Sequence, residues 1–164
     1  MPACRPLFVN PMSLSKIRVQ RQDFDAAAEA AALARGRTDV GALVSFVGLC
    51  RDEAGTLQAL DLEHYPGMAE EEIARIAGEA ERRWPLLGVT VVHRVGRIMP
   101  GEQIVLVVCA SAHRAAAFSA AEFLMDFLKS RAPFWKKEHR ADGGPGDWVA
   151  AKDADEAALE RWGE

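Results

Sequence analysis

The sequence predicts an α+β fold, and three observations carry that prediction. Residues 89–95 and 103–110 are strongly β-prone and flank Met-Pro-Gly-Glu, the pattern of an antiparallel pair joined through a Pro-Gly turn. Residues 24–34 and 112–130 are alanine-rich and read as helices. Helical segments interleave with paired strands along the chain, the arrangement of an α+β domain.

Taken in order, residues 1–14 form an irregular extension broken by three prolines, and residues 15–164 are read as a single domain. A chain of 164 residues can build one sizeable core and is short for two. The alternation I-R-V-Q over 17–20 predicts a short strand, and the helix over 24–34 is stopped by Gly36. The apolar, β-branched run V-G-A-L-V-S-F-V over 40–47 suits a buried strand and leads into a polar loop over 48–55. A second strand over 57–65 ends at the turn pair Pro66-Gly67. The following helix has Glu70, Glu71 and Glu72 in its first turn and Arg82 and Arg83 in its last, the order its dipole favours. The helix over 112–130 carries Phe118, Phe123, Leu124, Met125, Phe127 and Leu128 around most of its circumference, with Ser111 as its expected N-cap and Pro133 as its stop. A short strand over 134–139, a G-G-P-G turn over 143–146, Trp148-Val149 and a charged tail complete the chain.

Hydrophobic residues make up 49% and charged residues 27%, as in ordinary globular proteins, and the net charge of −4 points to neither nucleic acid nor an anionic membrane. Any basic site is therefore local. Cys4, Cys50 and Cys109 are odd in number and lack C-x-x-C spacing, so no disulfide framework or zinc clip is expected, and a reducing cytoplasm fits. No signal-peptide apolar region and no stretch of about 20 apolar residues is present, so a cytoplasmic, soluble protein is expected. The four histidines have no metal-ligand spacing, and there is no G-x-S-x-G, Walker A or G-x-G-x-x-G motif. Neither metal nor cofactor is expected.

Three local features could carry chemistry. The helix start S-A-H-R offers free backbone N–H groups with His113 and Arg114 beside them, a site for a phosphate; the plainer reading, which the motif alone favours, is a capped helix with two solvent-facing polar residues. In K-S-R-A-P-F-W-K-K-E-H-R, residues 129–140, strand alternation puts Phe134, Lys136 and Glu138 on one face and Trp135, Lys137 and His139 on the other. Lys136 then stands beside Glu138, which can orient its ammonium, while Lys129 closes the preceding helix. Both lysines could instead lay their stems on apolar surface with their heads in water. Arg51, in the loop after a strand end, is a ligand clamp or a plain surface charge.

The segments E-H-Y-P-G-M (63–68), V-x-H-R-V-G (91–96), P-G-E (100–102), S-A-H-R (111–114), F-x-M-D-F-L-K-x-R-A-P-F-W-K-K-E (123–138) and D-W-V (147–149) resemble, in order and spacing, the molybdopterin synthase large-subunit family, over about residues 24–162. The resemblance implies an α/β hammerhead-like domain with an added antiparallel β subdomain. It implies a sulfurtransferase of molybdenum cofactor biosynthesis. In that family two large subunits form a central homodimer, and each receives the C-terminal tail of a small ubiquitin-like subunit, giving a heterotetramer. The tail's glycine thiocarboxylate delivers sulfur to cyclic pyranopterin monophosphate, and two rounds build the dithiolene. By position, Lys129 and Lys136 resemble the catalytic pair; Lys137 and Glu138 match adjoining substrate-site positions; His113 and Arg114 match pterin or phosphate contacts. Leu49, Cys50 and Arg51 match a substrate-contacting loop. Leu49 stands where relatives can carry a lysine, and Lys152 where an arginine is expected, which puts a bidentate anion contact in question.

The nucleophile in such a reaction comes from the partner, which accounts for the missing Cys or Ser motif; Lys129 and Lys136 are left to move protons and stabilise charge. His113 and Lys129 lie sixteen residues apart on one helix, so about 1.5 Å of rise per residue separates their backbones by roughly 24 Å. A site shared across the homodimer is therefore expected, with His113 and Arg114 supplied by the neighbouring subunit. The rival readings are a non-catalytic scaffold that binds a ubiquitin-like tail and a lysine enzyme forming a Schiff base through Lys136.

Overall fold

The computed structural model describes residues 15–142, 146, 148–150 and 153–163. The expected extension over 1–14, most of the turn over 143–146, Asp147 and Lys152 lie outside the described residues. Eleven elements follow in order: β1 (Lys16–Gln20), α1 (Ala26–Ala34), β2 (Ala42–Leu49), β3 (Leu57–His64), α2 (Met68–Arg83), β4 (Leu86–Arg94), β5 (Gly96–Ile98), β6 (Gln103–Ser111), α3 (Arg114–Ser130), β7 (Phe134–Arg140) and α4 (Asp153–Glu160). The class is α+β, with a four-stranded sheet β1-β4-β6-β2 and a separate three-stranded sheet β5-β3-β7. All pairings are antiparallel except β1 with β4.

The large sheet is covered on both faces, which is why β4 and β6 read as continuous apolar runs. On β6, Val105, Val107 and Cys109 face α2 and α3, packing with Ile73, Ile76, Phe123 and Leu124. Leu106, Val108 and Ala110 face the other way, toward Phe24 and Leu33 beside α1. The Asp25 carboxylate starts α1 by accepting from the Ala28 N–H at 3.0 Å. Glu70 does the reciprocal service at α2, accepting from the Gly67 N–H at 2.8 Å.

Four expectations are corrected. The pair β4–β6 exists, Thr90 opposite Val108, but its connection is no simple hairpin turn. The chain leaves β4, bends at Gly96 (φ +85°), and spends three residues in the small sheet, where Ile98 is fully buried, before Gly101 (φ +89°) returns it to β6. Second, β2 is no buried strand: it forms the sheet's edge, with Leu43, Phe46 and Leu49 39%, 40% and 56% exposed. Third, the cap of α3 is His113. Ser111 still ends β6, and its hydroxyl donates to the Pro85 carbonyl at 3.0 Å, tying two strands together. Fourth, the charged tail is helical: α4 has Asp153, Asp155 and Glu156 in its first turn, where the dipole favours acids.

The tail docks through an aromatic cluster. The rings of Trp84, Phe123 and Trp162 meet edge to face at 5.3 to 5.7 Å. The Trp162 indole N–H donates to Asp126 at 2.6 Å, and Arg161 pairs with Glu122 and Asp126 at 2.8 and 2.9 Å. Phe123 is fully buried at the centre of this cluster. Phe123→Ala is expected to cost about 3–5 kcal/mol through lost transfer energy and an unfilled cavity, read as a lower urea midpoint with unchanged slope.

Candidate functional site

The two lysines are brought together by the reversal between α3 and β7. The Arg131 and Ala132 N–H groups both donate to the Phe127 carbonyl, at 2.7 and 3.2 Å, and close the helix just beyond Lys129. Pro133 forbids continuation, and β7 starts at Phe134. Pairing of β7 with β3 sets His64 opposite Phe134, Leu62 opposite Lys136 and Leu60 opposite Glu138, so those three β7 side chains share one face. Lys136 therefore returns to stand near Lys129.

Between them opens a cleft of about 500 Å³. Lys129 and Ser130 of α3, Lys136, Glu138 and Arg140 of β7, the loop residues Leu49, Cys50 and Arg51, and Asp155 of α4 form its walls. Adjoining it is a smaller pocket of about 90 Å³, which shares Leu49, Ile104, Phe134 and both lysines with the cleft and is lined as well by His93.

Charge in the cleft is mixed, and several acids are already engaged. Glu138 accepts from Arg140 at 2.9 Å, in addition to any orienting of Lys136. Arg51 is largely exposed and pairs with Glu53. Asp52 accepts from the Thr56 and Leu57 N–H groups at 3.1 Å each, closing the loop. Lys129 makes no ion pair among the described residues. Cys50 is buried and held by Glu102 and Gly101 through its backbone, at 2.8 and 2.7 Å. Burial, then the charge of Glu102, pushes its thiol pKa up, so it stays a protonated thiol and serves as wall rather than nucleophile. Among the described residues no group of three or more His, Cys, Asp or Glu is arranged to hold a metal.

Other expected site residues lie elsewhere. Lys137 lies on the other face of β7, as strand alternation requires, with its Nζ 5.9 Å from the Trp148 ring centroid, and is not among the residues lining the cleft. His113 and Arg114 are exposed at the far end of the unbroken, 17-residue α3 and do not line the cleft. Lys152 is outside the described residues.

Sequence reasoning missed three contributors. Arg140 and Asp155 depended on the length of β7 and on α4. His93 had a visible signal, a lone titratable side chain inside the β-prone run V-T-V-V-H-R-V. It is 6% exposed, and its ring lies flat on Phe134 at 3.8 Å between centroids, 10° from parallel. Burial first, with the charges of Lys136, Lys129 and His64 behind it, lowers the His93 pKa to about 4.

Comparison with known proteins gives a consistent picture. The family described as "MoaE protein" matches residues 19–131. A molybdopterin synthase catalytic subunit of Mesorhizobium japonicum is 72% identical over 146 residues, covering 89% of this chain and 92% of that one. The solved molybdopterin biosynthesis MoaE protein from Burkholderia ambifaria superposes with a TM-score of 0.79 at 51% identity, covering 92% of this chain and 99% of its own. The crystal structure of molybdopterin synthase from Staphylococcus aureus gives 0.73 at 29% identity, covering 80% and 95%.

The state of His93 also sets an acid sensitivity of the fold. In the unfolded chain the imidazole titrates near 6.5, and in the folded chain near 4. Between those values the unfolded chain takes up a proton that the folded chain does not, so this contribution is full above pH 6.5 and drains as pH falls toward 4. The gap is worth about 3 kcal/mol. Urea unfolding of the wild type should weaken between pH 7 and pH 4.5 more steeply than that of His93→Phe; equal slopes would show that the imidazole is not kept neutral by the fold.

Proposed function

The chain belongs to the MoaE protein family, and from that membership we propose how its cleft works as the catalytic subunit of a molybdopterin synthase, in molybdenum cofactor biosynthesis. The small ubiquitin-like partner lays its C-terminal tail into the cleft and presents a glycine thiocarboxylate. Cyclic pyranopterin monophosphate binds beside it, and the thiocarboxylate sulfur attacks a side-chain carbon of the pterin, forming C–S as a C–O bond breaks and the oxygen leaves; water then cleaves the resulting thioester, leaving the sulfur on the pterin and a glycine carboxylate on the partner, and two such rounds complete the dithiolene. The observation that carries this reading is the convergence of Lys129 and Lys136, from two elements, on one open cleft.

The incoming nucleophile is already an anion, so the chain's task is to hold it, to stabilise charge on the phosphate and the attacked carbon, and to move protons. Two ammonium groups at the floor of a partly apolar cleft suit that task. Arg51 and Arg140 supply further positive charge at the rim, Leu49 and Cys50 supply apolar wall and backbone, and Glu138 restrains Arg140.

The site is completed by a second copy of the chain. Leu43, Phe46 and Leu49 on the open edge of the large sheet, and Phe118 on α3 at 62% exposure, are apolar surface that the chain itself leaves uncovered. A second copy on that surface supports a homodimer, and it accounts for the apolar run of β2 that reads as buried. His113 and Arg114, too distant along α3 to serve their own cleft, then contact phosphate in the neighbour's. Partner tails on both protomers make the heterotetramer.

Two measurements check this. Lys129→Ala and Lys136→Ala, folded and still bound to the thiocarboxylated partner, should each lower product formation by about 10²–10⁴-fold; near-normal turnover in either removes that lysine from the chemistry. A heterodimer of one His113→Ala and one Lys129→Ala protomer should regain about half the wild-type activity, because a two-fold assembly then contains one intact site and one doubly altered site. Sites confined to one chain would leave both inactive.

A further inference from the structure

We infer that His93 is a positioning residue of this site: its unprotonated Nε2 faces the small pocket behind the lysines as a neutral hydrogen-bond acceptor and fixes the orientation and proton affinity of the ammonium that turns into it. The inference rests on the sulfur-transfer reading above. No residue role drawn so far uses this histidine.

The tautomer follows from one contact. His93 Nδ1 lies 2.9 Å from the Arg94 carbonyl oxygen. A carbonyl only accepts, so Nδ1 carries the proton, and the lone pair of the neutral ring is on Nε2. That atom has no hydrogen-bond partner among the described residues. Nor is it sealed in, since the one sealed, unpartnered side-chain polar atom among the described residues is Thr90 Oγ1. The ring lines the small pocket, and the flat contact with Phe134 holds its plane.

The pocket's composition decides what the lone pair is for. Phe46, Val105, Leu128 and Phe134 are apolar, and no carboxylate, hydroxyl or amide side chain lines it; His93 Nε2 is the one strong side-chain acceptor there. The two strong donors are Lys129 and Lys136. A volume of about 90 Å³ admits an ammonium head directly or through a bridging water. The charged and titratable groups bearing on the ring are Lys136 from β7, Lys129 from α3 and His64 from β3. Its strand neighbours, Val19 on β1 and Val105 on β6, add none, nor do Phe46 and Leu49 on β2.

A neutral acceptor does something a carboxylate would not. It occupies one of the three N–H directions of an ammonium and points the others toward the cleft, while leaving the full positive charge available to an anionic thiocarboxylate and phosphate. The low pKa of the ring serves the same end, because a protonated imidazole would repel both lysines.

The test is the pH titration of Lys129 and Lys136, read by competitive acetylation and mass spectrometry on the full chain without its partner. Wild type, His93→Phe and His93→Gln are compared: Phe keeps the stack and removes both nitrogens, and Gln returns a polar atom near Nε2. In His93→Phe one of the two lysines should titrate about one pH unit lower, or more, as expected when a partly desolvated cation loses its acceptor. His93→Gln should recover part of that shift, and the alkaline limb of the sulfur-transfer rate should move with it. Unchanged titration of both lysines in a folded His93→Phe overturns the inference. If His93→Phe does not fold, ¹⁵N NMR of the wild-type ring decides: the Nε2 resonance moves in Lys129→Ala or Lys136→Ala if a lysine donates to it, and staying put in both overturns the inference. Labelling needs neither partner nor pterin. A wild type that makes no product would sink the sulfur-transfer reading and leave the lysine titration standing.

Discussion

Where the chain leaves α3, the ring of Phe134 lies flat on the imidazole of His93, 3.8 Å between centroids, and that contact clasps the small sheet to the large one. Phe134 belongs to β7 and His93 to β4, so one stacked pair spans the seam between two otherwise separate ladders. His64, across from Phe134 on β3, also stacks with it, at 6.3 Å between centroids and 28° from parallel. With Phe134 pinned, period-two alternation leaves no choice about where Lys136 and Glu138 point. With α3 stopped at Ser130, no choice remains about where Lys129 ends. Six residues separate the lysines in sequence, and the three between helix and strand, Arg131 to Pro133, make the reversal that sets them on one cleft.

What could be read from sequence was whatever depends on near neighbours. The faces of β7 follow from alternation alone, and Pro133 marks the helix end by its own sterics. The failures have a common cause. The run over β2 is apolar, but composition does not distinguish a strand covered by its own chain from one covered by another. Three-residue β5 is too short for a period, and only its pairing with β3, some 36 residues earlier, makes it a strand. Ser111 has the chemistry of a cap and lies next to a helix, yet Pro85 claims its hydroxyl. His93 stands out in sequence only as a lone titratable residue, because its meaning depends on Phe134 and two lysines over 35 positions away. Alone, it is a histidine in a β-run.

The arrangement of charge suits a reaction in which the nucleophile arrives from outside. Cys50 sits in the cleft but is held protonated by burial. Glu53 and Glu138 are each engaged by an arginine, which damps the negative charge that would otherwise meet an anionic donor. These pairs are solvent-facing and worth little as stability. Their effect is on the local potential and on where the arginines point. Beside them, the small pocket has no acid at all among its lining side chains.

In the proposed reading one chain builds only part of the site. The long helix that delivers Lys129 to the cleft carries His113 and Arg114 away from it by its whole length, and no bend is available, because α3 is unbroken from Arg114 to Ser130. In the reading proposed above, such a helix is a strut between two half-sites: its C-terminal end serves the cleft of its own subunit and its N-terminal end reaches the neighbour's. The rigidity that gives α3 its place in the core, with Phe123 and Leu124 fully buried, is the same property that, in that reading, makes a second copy necessary for a phosphate contact. The exposed edge of β2 and the exposed ring of Phe118 lie on the elements that such a pairing would bring together, so the apolar surface and the divided site call for the same partner.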